Sequence, residues 1–291
     1  MKILLLGKSG QVGNALMPLL TRLAQSTDAG ALVALGRADV DLSDAAALAQ
    51  AVQQVQPALI VNAAAHTAVD RAETEPDIAF AINALAPGVL AQQAANLNAL
   101  LVHYSTDYVF DGSQQTPYRE SDPTHPLGVY GQSKLAGEQA VQASGCRHLL
   151  LRTSWVYDST GRNFLTTMLR LAKQHGKLRV VGDQHGSPTS AAMIAETSLR
   201  LIRSMLNQPA MEGGLYHLTA QGQTTWHGFA QAIMRKAALD VPIEAITTAD
   251  YPTPARRPAY SVLDCSKLQS EFNYRLPGWQ QALDALPALS V

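Results

Sequence analysis

Short apolar runs alternate with longer amphipathic segments through the first half of the chain. The longer segments are rich in Ala, Leu and Gln and predict helices, whereas strands that are buried on both faces carry near-continuous apolar residues. The apolar runs lie at 2–7, 31–36, 58–65, 100–106 and 148–156, and the helix candidates lie at about 11–25, 43–55, 76–98 and 131–143. This alternation predicts an α/β fold built on a doubly wound parallel sheet.

A glycine-rich loop joins the first strand to the first helix. The segment "GKSGQVG" supplies Gly7, Gly10 and Gly13, and glycine at such a turn lets the backbone approach a pyrophosphate at the positive end of a helix. The spacing is G-x-x-G-x-x-G, which differs from the dinucleotide-binding pattern G-x-G-x-x-G. The "GKS" within the loop could suggest the P-loop of a nucleotide triphosphatase, but that motif requires a glycine where Lys2 stands. The loop predicts a dinucleotide site in a Rossmann-type domain, with a tight turn that binds no ligand as the alternative.

The end of the second strand bears on which dinucleotide binds. A carboxylate that binds the ribose is expected there, but the sequence reads Gly36-Arg37. An arginine without that carboxylate favours the extra 2′-phosphate of NADPH. Arg37 could equally be a solvated loop residue, and Asp39 and Asp41 lie close by. NADPH is therefore favoured and NADH is left open.

Tyr130 and Lys134 lie four residues apart in "VYGQSKLAGE" and so share one face of a predicted helix. An ammonium close to a phenol lowers the pKa of that phenol, which would let Tyr130 exchange a proton near neutral pH. Thr106 ends the fourth strand, where ligands of open α/β sheets bind, and can hold a carbonyl oxygen. The spacing alone is weak, but with a hydride source these three residues could reduce a ketone.

The strand–helix rhythm loosens after about residue 156. The second half predicts helices near 162–175 and 190–206, strands at 178–181 and 214–219, and a Pro-rich stretch at 251–258. Because 291 residues are many for one compact core, two joined domains are expected. We predict a dinucleotide-binding domain over 1–155 and a smaller, interleaved substrate-binding lobe over 156–291, with a segment of about 177–194 returning to the first domain.

Charge and cysteine content restrict the partners and the compartment. The net charge is −1 and charged residues make up 15% of the chain, so no field is directed at nucleic acid or anionic lipid. The two cysteines, Cys146 and Cys265, are far apart, which favours a reducing compartment. No stretch approaches the roughly 18 apolar residues of a membrane span, and the apolar start is too short for a signal peptide. A cytoplasmic protein without nucleic-acid or membrane partners is expected.

Longer blocks occur across nearly the whole chain. In order they are "GKSGQVG", "VNAAAHTAVDRAE", "HYSTDYVFDG", "VYGQSKLAGE", "LRTSWVY", "GSPTS" and "YPTPARRP". With these blocks the chain resembles the extended short-chain dehydrogenase/reductases, and within them the dTDP-4-dehydrorhamnose reductase family. The resemblance implies that NADPH or NADH reduces the C4 ketone of dTDP-4-dehydro-L-rhamnose to give dTDP-L-rhamnose, a precursor of the cell wall and of lipopolysaccharide.

The resemblance also implies roles for residues. Tyr130 would be the proton donor, with Thr106 and Lys134 completing the catalytic set, and Lys134 would bond the nicotinamide ribose. The implied cofactor contacts are Gly10, Gln11 and Val12 at the pyrophosphate, Asp41 and Leu42 at adenine, and Ala65, His66, Thr67 and Tyr104 on the third and fourth strands. The implied contacts with the sugar nucleotide are Thr106, Asp107, Trp155 and Arg257.

Simpler interpretations stay open for several of these residues. His66 and His103 could be interior histidines, Trp155 could be a core residue, and Arg257 could belong to a surface pair. No group of the eight histidines has metal-ligand spacing. Some family members bind Mg²⁺ through glutamates at a dimer interface, one of them in the helix after the glycine loop. That helix begins without an acid here, which puts Mg²⁺ and that mode of dimerisation in doubt and leaves a homodimer open.

Two other functions fit parts of the pattern. The first is a related nucleotide-sugar enzyme: a C4-reductase that makes the 6-deoxy-L-talose epimer, or an epimerase that recycles a bound NAD. The second is a non-catalytic regulatory subunit of the same fold, as in a homologous subunit of methionine adenosyltransferase. Presence of Thr106, Tyr130 and Lys134 argues against the second function.

Overall fold

The computed structural model describes residues 1–27, 29–211 and 213–289. The strands are β1 (Lys2–Leu6), β2 (Ala31–Leu35), β3 (Leu59–Asn62), β4 (Leu100–Thr106), β5 (His148–Thr153), β6 (Val156–Tyr157), β7 (Leu178–Val181), β8 (His185–Gly186), β9 (Thr189–Ser190), β10 (Gly213–His217), β11 (Thr224–Thr225) and β12 (Ile243–Ile246). The helices are α1 (Gln11–Gln25), α2 (Ala45–Val55), α3 (Val69–Ala72), α4 (Pro76–Phe80), α5 (Ala86–Leu97), α6 (Val129–Ala143), α7 (Phe164–Gln174), α8 (Ala191–Asn207), α9 (Trp226–Lys236), α10 (Ser266–Phe272) and α11 (Trp279–Asp284).

Six strands form one parallel sheet in the order β10-β5-β4-β3-β1-β2. Strand β2 lies on one side of β1, and β3, β4 and β5 follow one another on the other side. The order therefore reverses at β1, and in sheets of this kind ligands bind at the carboxyl ends of the strands beside such a reversal. The predicted doubly wound parallel sheet is confirmed.

The apolar runs form strands because both faces of the sheet are covered. Along β1, Ile3 and Leu5 point into one core with α1 and α8, while Leu4 and Leu6 point into a second core with α2 and α5. All four side chains are fully buried, and each contributes roughly 1.5–3 kcal/mol from burial. This two-sided burial removes the polar positions that a half-exposed strand would show.

A long helical run, Pro76–Leu97, crosses beneath the sheet. It consists of α4, one turn of π-helix (Ala81–Leu85) and α5. By length and composition alone this run could cross a membrane, but Asp77, Asn83 and Gln92 interrupt it, so it is not a continuous apolar stretch of the kind that the sequence was expected to lack. Its position is that of a helix that covers the sheet, because α5 packs against α2 and α6.

The second half of the chain contributes to both parts of the molecule. Strand β10 joins the edge of the main sheet through β5, and α8 packs against α1. Three small two-stranded sheets, β11-β8, β12-β7 and β6-β9, lie apart from the main sheet. The division into 1–155 and 156–291 stays a prediction.

Two predicted strands end three residues earlier than their apolar runs. The run 148–156 breaks after Thr153, since Trp155 has a φ of +47° and the chain then turns into β6, which pairs with β9. The run 58–65 ends at Asn62. In both places the chain continues as a loop at the carboxyl edge of the sheet.

Candidate active site

A cleft of about 600 Å³ opens at the carboxyl edge of the sheet. It brings together eleven of the residues predicted for the site: Gly10, Gln11, Val12, Ala65, Thr67, Tyr104, Thr106, Asp107, Tyr130, Lys134 and Trp155. The other predicted residues lie outside its lining: Gly7, Gly13, Arg37, Asp41, Leu42, His66 and Arg257.

The glycine loop places the start of α1 at the cleft. Gly7 has a φ of +84°, and a Cβ there would stand 2.6 Å from the backbone nitrogen of Ala64. A Cβ at Gly13 would fall on the carbonyl oxygen of Gly7. These two glycines therefore allow the loop to close tightly, while Gly10 caps α1 without a side chain. The first amide groups of α1 are left facing the cleft, as a pyrophosphate requires.

The loop after β2 carries charged groups next to the glycine loop. Lys8 Nζ lies 2.7 Å from Asp39 Oδ2, and that oxygen also accepts a hydrogen bond from the Gly36 amide. The Lys8 hydrogen bond, followed by that of Gly36, holds the pKa of Asp39 below its usual value. Asp41 accepts from the amide and hydroxyl of Ser43, and Arg37 is exposed. The exposed Arg37 is thus the cation in this loop that could contact the 2′-phosphate of NADPH.

Replacing Arg37 by alanine is expected to raise KM for NADPH about tenfold and to leave KM for NADH nearly unchanged. The physical reason is the loss of one charge-assisted contact with the 2′-phosphate, which NADH lacks. Steady-state kinetics with each cofactor measure the effect, with the exposed Arg22→Ala as control. Equal changes for both cofactors would show that Arg37 does not discriminate.

Thr106 and Asp107 follow β4 at the floor of the cleft. The Thr106 hydroxyl donates to Asp107 Oδ1 at 3.0 Å and accepts from the Tyr108 amide at 3.2 Å. Both residues are buried, and burial raises the pKa of the Asp107 carboxyl to about 6. Asp107 is therefore charged at neutral pH but close to the range in which it takes up a proton.

Tyr130 lies in the first turn of α6, with its ring edge-on to Tyr108 at a centroid distance of 5.7 Å. Burial raises the pKa of Tyr130 to about 12, against a smaller opposing contribution from the Thr106 hydroxyl. The Lys134 ammonium donates to the backbone carbonyl of Tyr104 on β4. The expectation that the lysine brings the phenol near neutrality is therefore wrong for this structure, because the ammonium group is directed elsewhere.

Lys134 Nζ donates to the carbonyl oxygen of Tyr104 at 2.5 Å and lies 3.4 Å from His103 Nε2. The side chain is only 2% exposed. Burial lowers the pKa of Lys134 to about 8, and Glu138 one turn further along α6 opposes that change. Glu138 itself forms a buried bidentate pair with Arg152 of β5, at 2.9 and 2.7 Å.

His66 stands behind the cleft wall. Its backbone is held by Asn83 of the π-helical turn, which donates to the His66 carbonyl at 3.0 Å and accepts from the His66 amide at 2.8 Å. Asn83 also donates to Ser133, next to Lys134. The side chain of His66 approaches Glu75 at 3.8 Å. The backbone of residues 65–67, more than the imidazole, is therefore what this loop presents to the cleft.

Trp155 forms one wall of the cleft. Its indole stacks on Trp226, with ring centroids 3.5 Å apart and an interplanar angle of 4°. Gly186 lies against the same indole, because a Cβ there would fall inside the ring. The positive φ of Trp155, the stack and Gly186 together fix the orientation of the side chain, which is partly exposed at the cleft.

Replacing Gly186 by alanine is expected to lower kcat/KM for the sugar nucleotide about tenfold or more, with little change in KM for NADPH. The new methyl group must displace the Trp155 ring, and misplacing a group that positions substrate has effects of this size. Gly176→Ala is the matched control, since nothing lies within 4 Å of its Cβ position. An unaltered kcat/KM in Gly186→Ala would remove Trp155 from the substrate site.

Arg257 approaches the cleft from the Pro-rich stretch. Its Nη2 lies 3.1 Å from Asp70 Oδ2, and the guanidinium lies near Tyr108, which lines the cleft. Arg257 is thus already paired with a carboxylate and stands one side chain away from the cleft. Its role as a diphosphate anchor stays a prediction.

Several buried polar atoms around the cleft have no partner within the part of the chain that the structure describes. They are Gln11 Oε1, His66 Nδ1, Ser105 Oγ, Asp107 Oδ2 and Thr153 Oγ1. Buried polar groups are normally hydrogen-bonded, and four of these five residues line the cleft. Unsatisfied donors and acceptors beside an open helix N-terminus fit a polar ligand such as a nicotinamide dinucleotide.

The comparisons with known proteins agree with this geometry. A sequence model of the family described as "RmlD substrate binding domain" matches residues 1–289. The dTDP-4-dehydrorhamnose reductase of Shigella flexneri is 46% identical over 290 residues, which cover 96% of this chain and 95% of that protein. The chain belongs to the dTDP-4-dehydrorhamnose reductase family.

Solved structures of the dTDP-4-dehydrorhamnose reductase family superimpose over nearly the whole length. The enzyme from Clostridium acetobutylicum has a TM-score of 0.89 at 36% identity, covering 98% of this chain and 97% of that one. The enzyme from Bacillus anthracis, described in complex with NADP, has a TM-score of 0.89 at 32% identity, with 97% of each chain covered. The Rossmann-type fold of this family and its use of a nicotinamide dinucleotide agree with the sequence prediction.

Some cleft residues of this family member were not predicted from its sequence. They are Ser9, Ala63, Ala64, Val69, Ser105, Tyr108, Thr153, Ser154, Val156, Arg162, Asn163 and Trp226. Tyr108 lies within the block "HYSTDYVFDG", which could have indicated it. Trp226 begins α9 and approaches Trp155 only through the tertiary fold. Within residues 1–27, 29–211 and 213–289, no three His, Cys, Asp or Glu side chains are grouped as a metal ion would need.

Proposed function

We propose that the protein reduces the C4 ketone of dTDP-4-dehydro-L-rhamnose to dTDP-L-rhamnose with NADPH or NADH. The observation that carries this proposal is the meeting of Thr106, Tyr130 and Lys134 in one cleft with the N-terminus of α1. Membership of the dTDP-4-dehydrorhamnose reductase family supports the same substrate. We propose that this reaction takes place in the cytoplasm.

The residues divide between cofactor and sugar. Gly10, Gln11 and Val12 would hold the pyrophosphate, with Gly7 and Gly13 shaping the loop. Lys134 would bond the nicotinamide ribose, while the segment 65–67 would contact the cofactor from the third strand. When bound, the cofactor supplies the hydride. Trp155 and Asp107 would contact the sugar nucleotide, with Arg257 at its diphosphate.

Tyr130 acts as the acid. With its pKa raised to about 12 by burial, the phenol keeps its proton throughout the range in which the protein works. An alkoxide is far more basic than a phenolate, so transfer of the proton from Tyr130 to the oxygen of the reduced sugar is favourable. The Thr106 hydroxyl would hold that oxygen beside Tyr130 by turning its proton from Asp107 Oδ1 to the sugar, and burial keeps water from competing with it.

The product stereochemistry tests the proposal against its nearest rivals. Reduction of the C4 ketone from one face gives dTDP-L-rhamnose, and reduction from the other gives the 6-deoxy-L-talose epimer. Proton couplings of the product sugar distinguish the two, and an epimerase would give product without net oxidation of NADPH. A 6-deoxy-L-talose product, or conversion without NADPH consumption, would contradict the proposal.

The acid limb of the pH profile tests the role of Asp107. Burial raises the pKa of this carboxyl to about 6, so Asp107 accepts hydrogen bonds at both oxygens above that pH and becomes a donor at one of them below it. We expect kcat/KM for the sugar nucleotide to fall as the pH drops through about 6, and Asp107→Asn to lose that limb. A limb that persists unchanged in Asp107→Asn would assign it to another group.

The oligomeric state is a separate proposal. We propose a homodimer that assembles without Mg²⁺, because α1, the helix after the glycine loop, offers no carboxylate. Sedimentation with Mg²⁺ and with a chelator tests this. An assembly that dissociates on chelation would contradict it.

A further inference from the structure

Three buried side chains from three different elements lie in a row behind the cleft. Asn62 ends β3, His103 lies in β4 and Lys134 lies in α6. Asn62 and His103 are each 1% exposed and lie outside the cleft lining. We propose that Asn62 and His103 are positioning residues that fix an N–H group against Lys134 and so set the pH at which that lysine loses its charge. The consequence for cofactor binding rests on the proposed function.

The orientation of the Asn62 amide is determined by its neighbours. Its Oδ1 accepts a hydrogen bond from the backbone amide of Ala64 at 3.2 Å. A backbone amide can only donate, so this end of the side chain must be the oxygen. The other end, Nδ2, then lies 3.1 Å from His103 Nδ1. Because an amide nitrogen can only donate, His103 Nδ1 must accept.

This contact selects one form of the imidazole. A neutral imidazole that accepts at Nδ1 carries its proton on Nε2. Burial, together with the nearby charge of Lys134, holds the pKa of His103 well below its usual value against a smaller opposing effect of the Asn62 backbone, so the ring stays neutral. The Nε2–H group lies 3.4 Å from Lys134 Nζ. His103 therefore presents a donor, not an acceptor, to the lysine.

A donor at this place acts against the ammonium form. The positive end of the N–H dipole faces Nζ, whereas a neutral amine could accept from it through its lone pair. Had Asn62 been absent, the imidazole could carry its proton on Nδ1 and accept from the ammonium at Nε2. The pair Asn62–His103 thus disfavours the charge on Lys134 by fixing a single tautomer.

Other groups around Lys134 also affect whether its amine is charged or neutral. From α6, Glu138 favours the ammonium form, but Arg152 of β5 neutralises most of that carboxylate through the bidentate pair. Tyr130 is a neutral phenol, and the Tyr104 carbonyl of β4 accepts from Nζ. Asp107 lies beyond Tyr130, near enough to act on its phenol. Among the described residues, His103 is the side-chain group within hydrogen-bond reach of Nζ that can shift Lys134 between its charged and neutral forms without a change of its own charge.

The tautomer can be measured directly on the unaltered protein. In protein labelled with ¹⁵N-histidine, the two ring nitrogens of His103 are assigned through their couplings to its own side chain. We expect the Nε2–H form with no titration between about pH 5 and 9. An Nδ1–H tautomer, or protonation within that range, would overturn the proposal. The measurement needs no substrate, so it stands even if the protein has no reductase activity.

Variants test the consequence through cofactor binding. The dissociation constant for NADPH is measured against pH in the absence of sugar, where weakening at alkaline pH reports loss of charge on Lys134. His103→Phe removes the N–H group and keeps the ring, and Asn62→Ala frees the tautomer. Each variant should raise, by about 0.5–1 pH unit, the alkaline pH at which NADPH binding weakens. His175→Phe, an exposed histidine, serves as control.

The double variant separates positioning from a general structural role. Because Asn62 acts through His103, Asn62→Ala should add no further shift in the His103→Phe background. The proposal would be overturned if neither single variant changes the pH at which NADPH binding weakens. It would also be overturned if Asn62→Ala still shifts that pH when His103 is Phe. Loss of turnover in the unaltered protein would instead contradict the proposed function and leave these binding measurements intact.

Discussion

Replacing Tyr130 by phenylalanine is expected to lower kcat by about 10²–10⁴-fold, the usual contribution of a general acid. The change removes only the phenolic hydroxyl. The ring keeps its edge-on contact with Tyr108, and Lys134 keeps its bond to the Tyr104 carbonyl. The dissociation constant for NADPH should therefore change little, and the loss should appear in kcat for the sugar nucleotide.

A matched control is Tyr251→Phe, which removes the same hydroxyl from a side chain that is 60% exposed. It should retain full activity. Single-turnover measurements distinguish a slower chemical step from slower product release. If Tyr130→Phe reduces the ketone at a rate comparable to that of the unaltered protein, Tyr130 is a packing residue and the proton comes from another group.

Replacing Arg152 by methionine is expected to lower the free energy of unfolding by about 3–5 kcal/mol, because it leaves a buried carboxylate without its partner. Arg152 and Glu138 are both almost fully buried, and their bidentate contact joins β5 to α6. Glu138 follows Tyr130 and Lys134 at helical spacing on the same face of α6. The loss should therefore be accompanied by reduced activity. Denaturant unfolding monitored by circular dichroism measures the change.

Removing both partners should restore most of the stability lost by Arg152→Met. In Glu138→Leu with Arg152→Met, no buried charge remains, and apolar pairs of similar volume often replace buried ion pairs at little cost. Lys177→Met breaks an exposed pair with Glu244 and should leave the free energy of unfolding nearly unchanged. A double variant as unstable as Arg152→Met alone would show that the cost comes from lost packing around the guanidinium.

Local patterns predicted those parts of the molecule that short-range physics determines. The apolar run of β1, the glycine loop and α1 follow one another within 25 residues, and each has a physical signature that is independent of the rest of the chain. The i, i+4 spacing placed Tyr130 and Lys134 on one face of α6 in the same way. The parallel sheet followed from the alternation of such units.

Features set by distant contacts were not predictable in this way. Trp226 reaches Trp155 only because α9 packs beside the loop after β5, and the positive φ of Trp155 has no sequence signal. The pKa of Tyr130 was predicted with the wrong sign because the spacing shows that Lys134 is near. It does not show that the ammonium is bonded to a carbonyl of β4. The orientation of a charged group depends on what else surrounds it.

The reductase activity is tested most directly by cofactor oxidation with purified dTDP-4-dehydro-L-rhamnose, with NADPH and NADH assayed in parallel. We predict that each turnover consumes one reduced cofactor and yields one dTDP-L-rhamnose, with a higher kcat/KM for NADPH. Failure to oxidise either cofactor in the presence of this sugar nucleotide would contradict the proposed function.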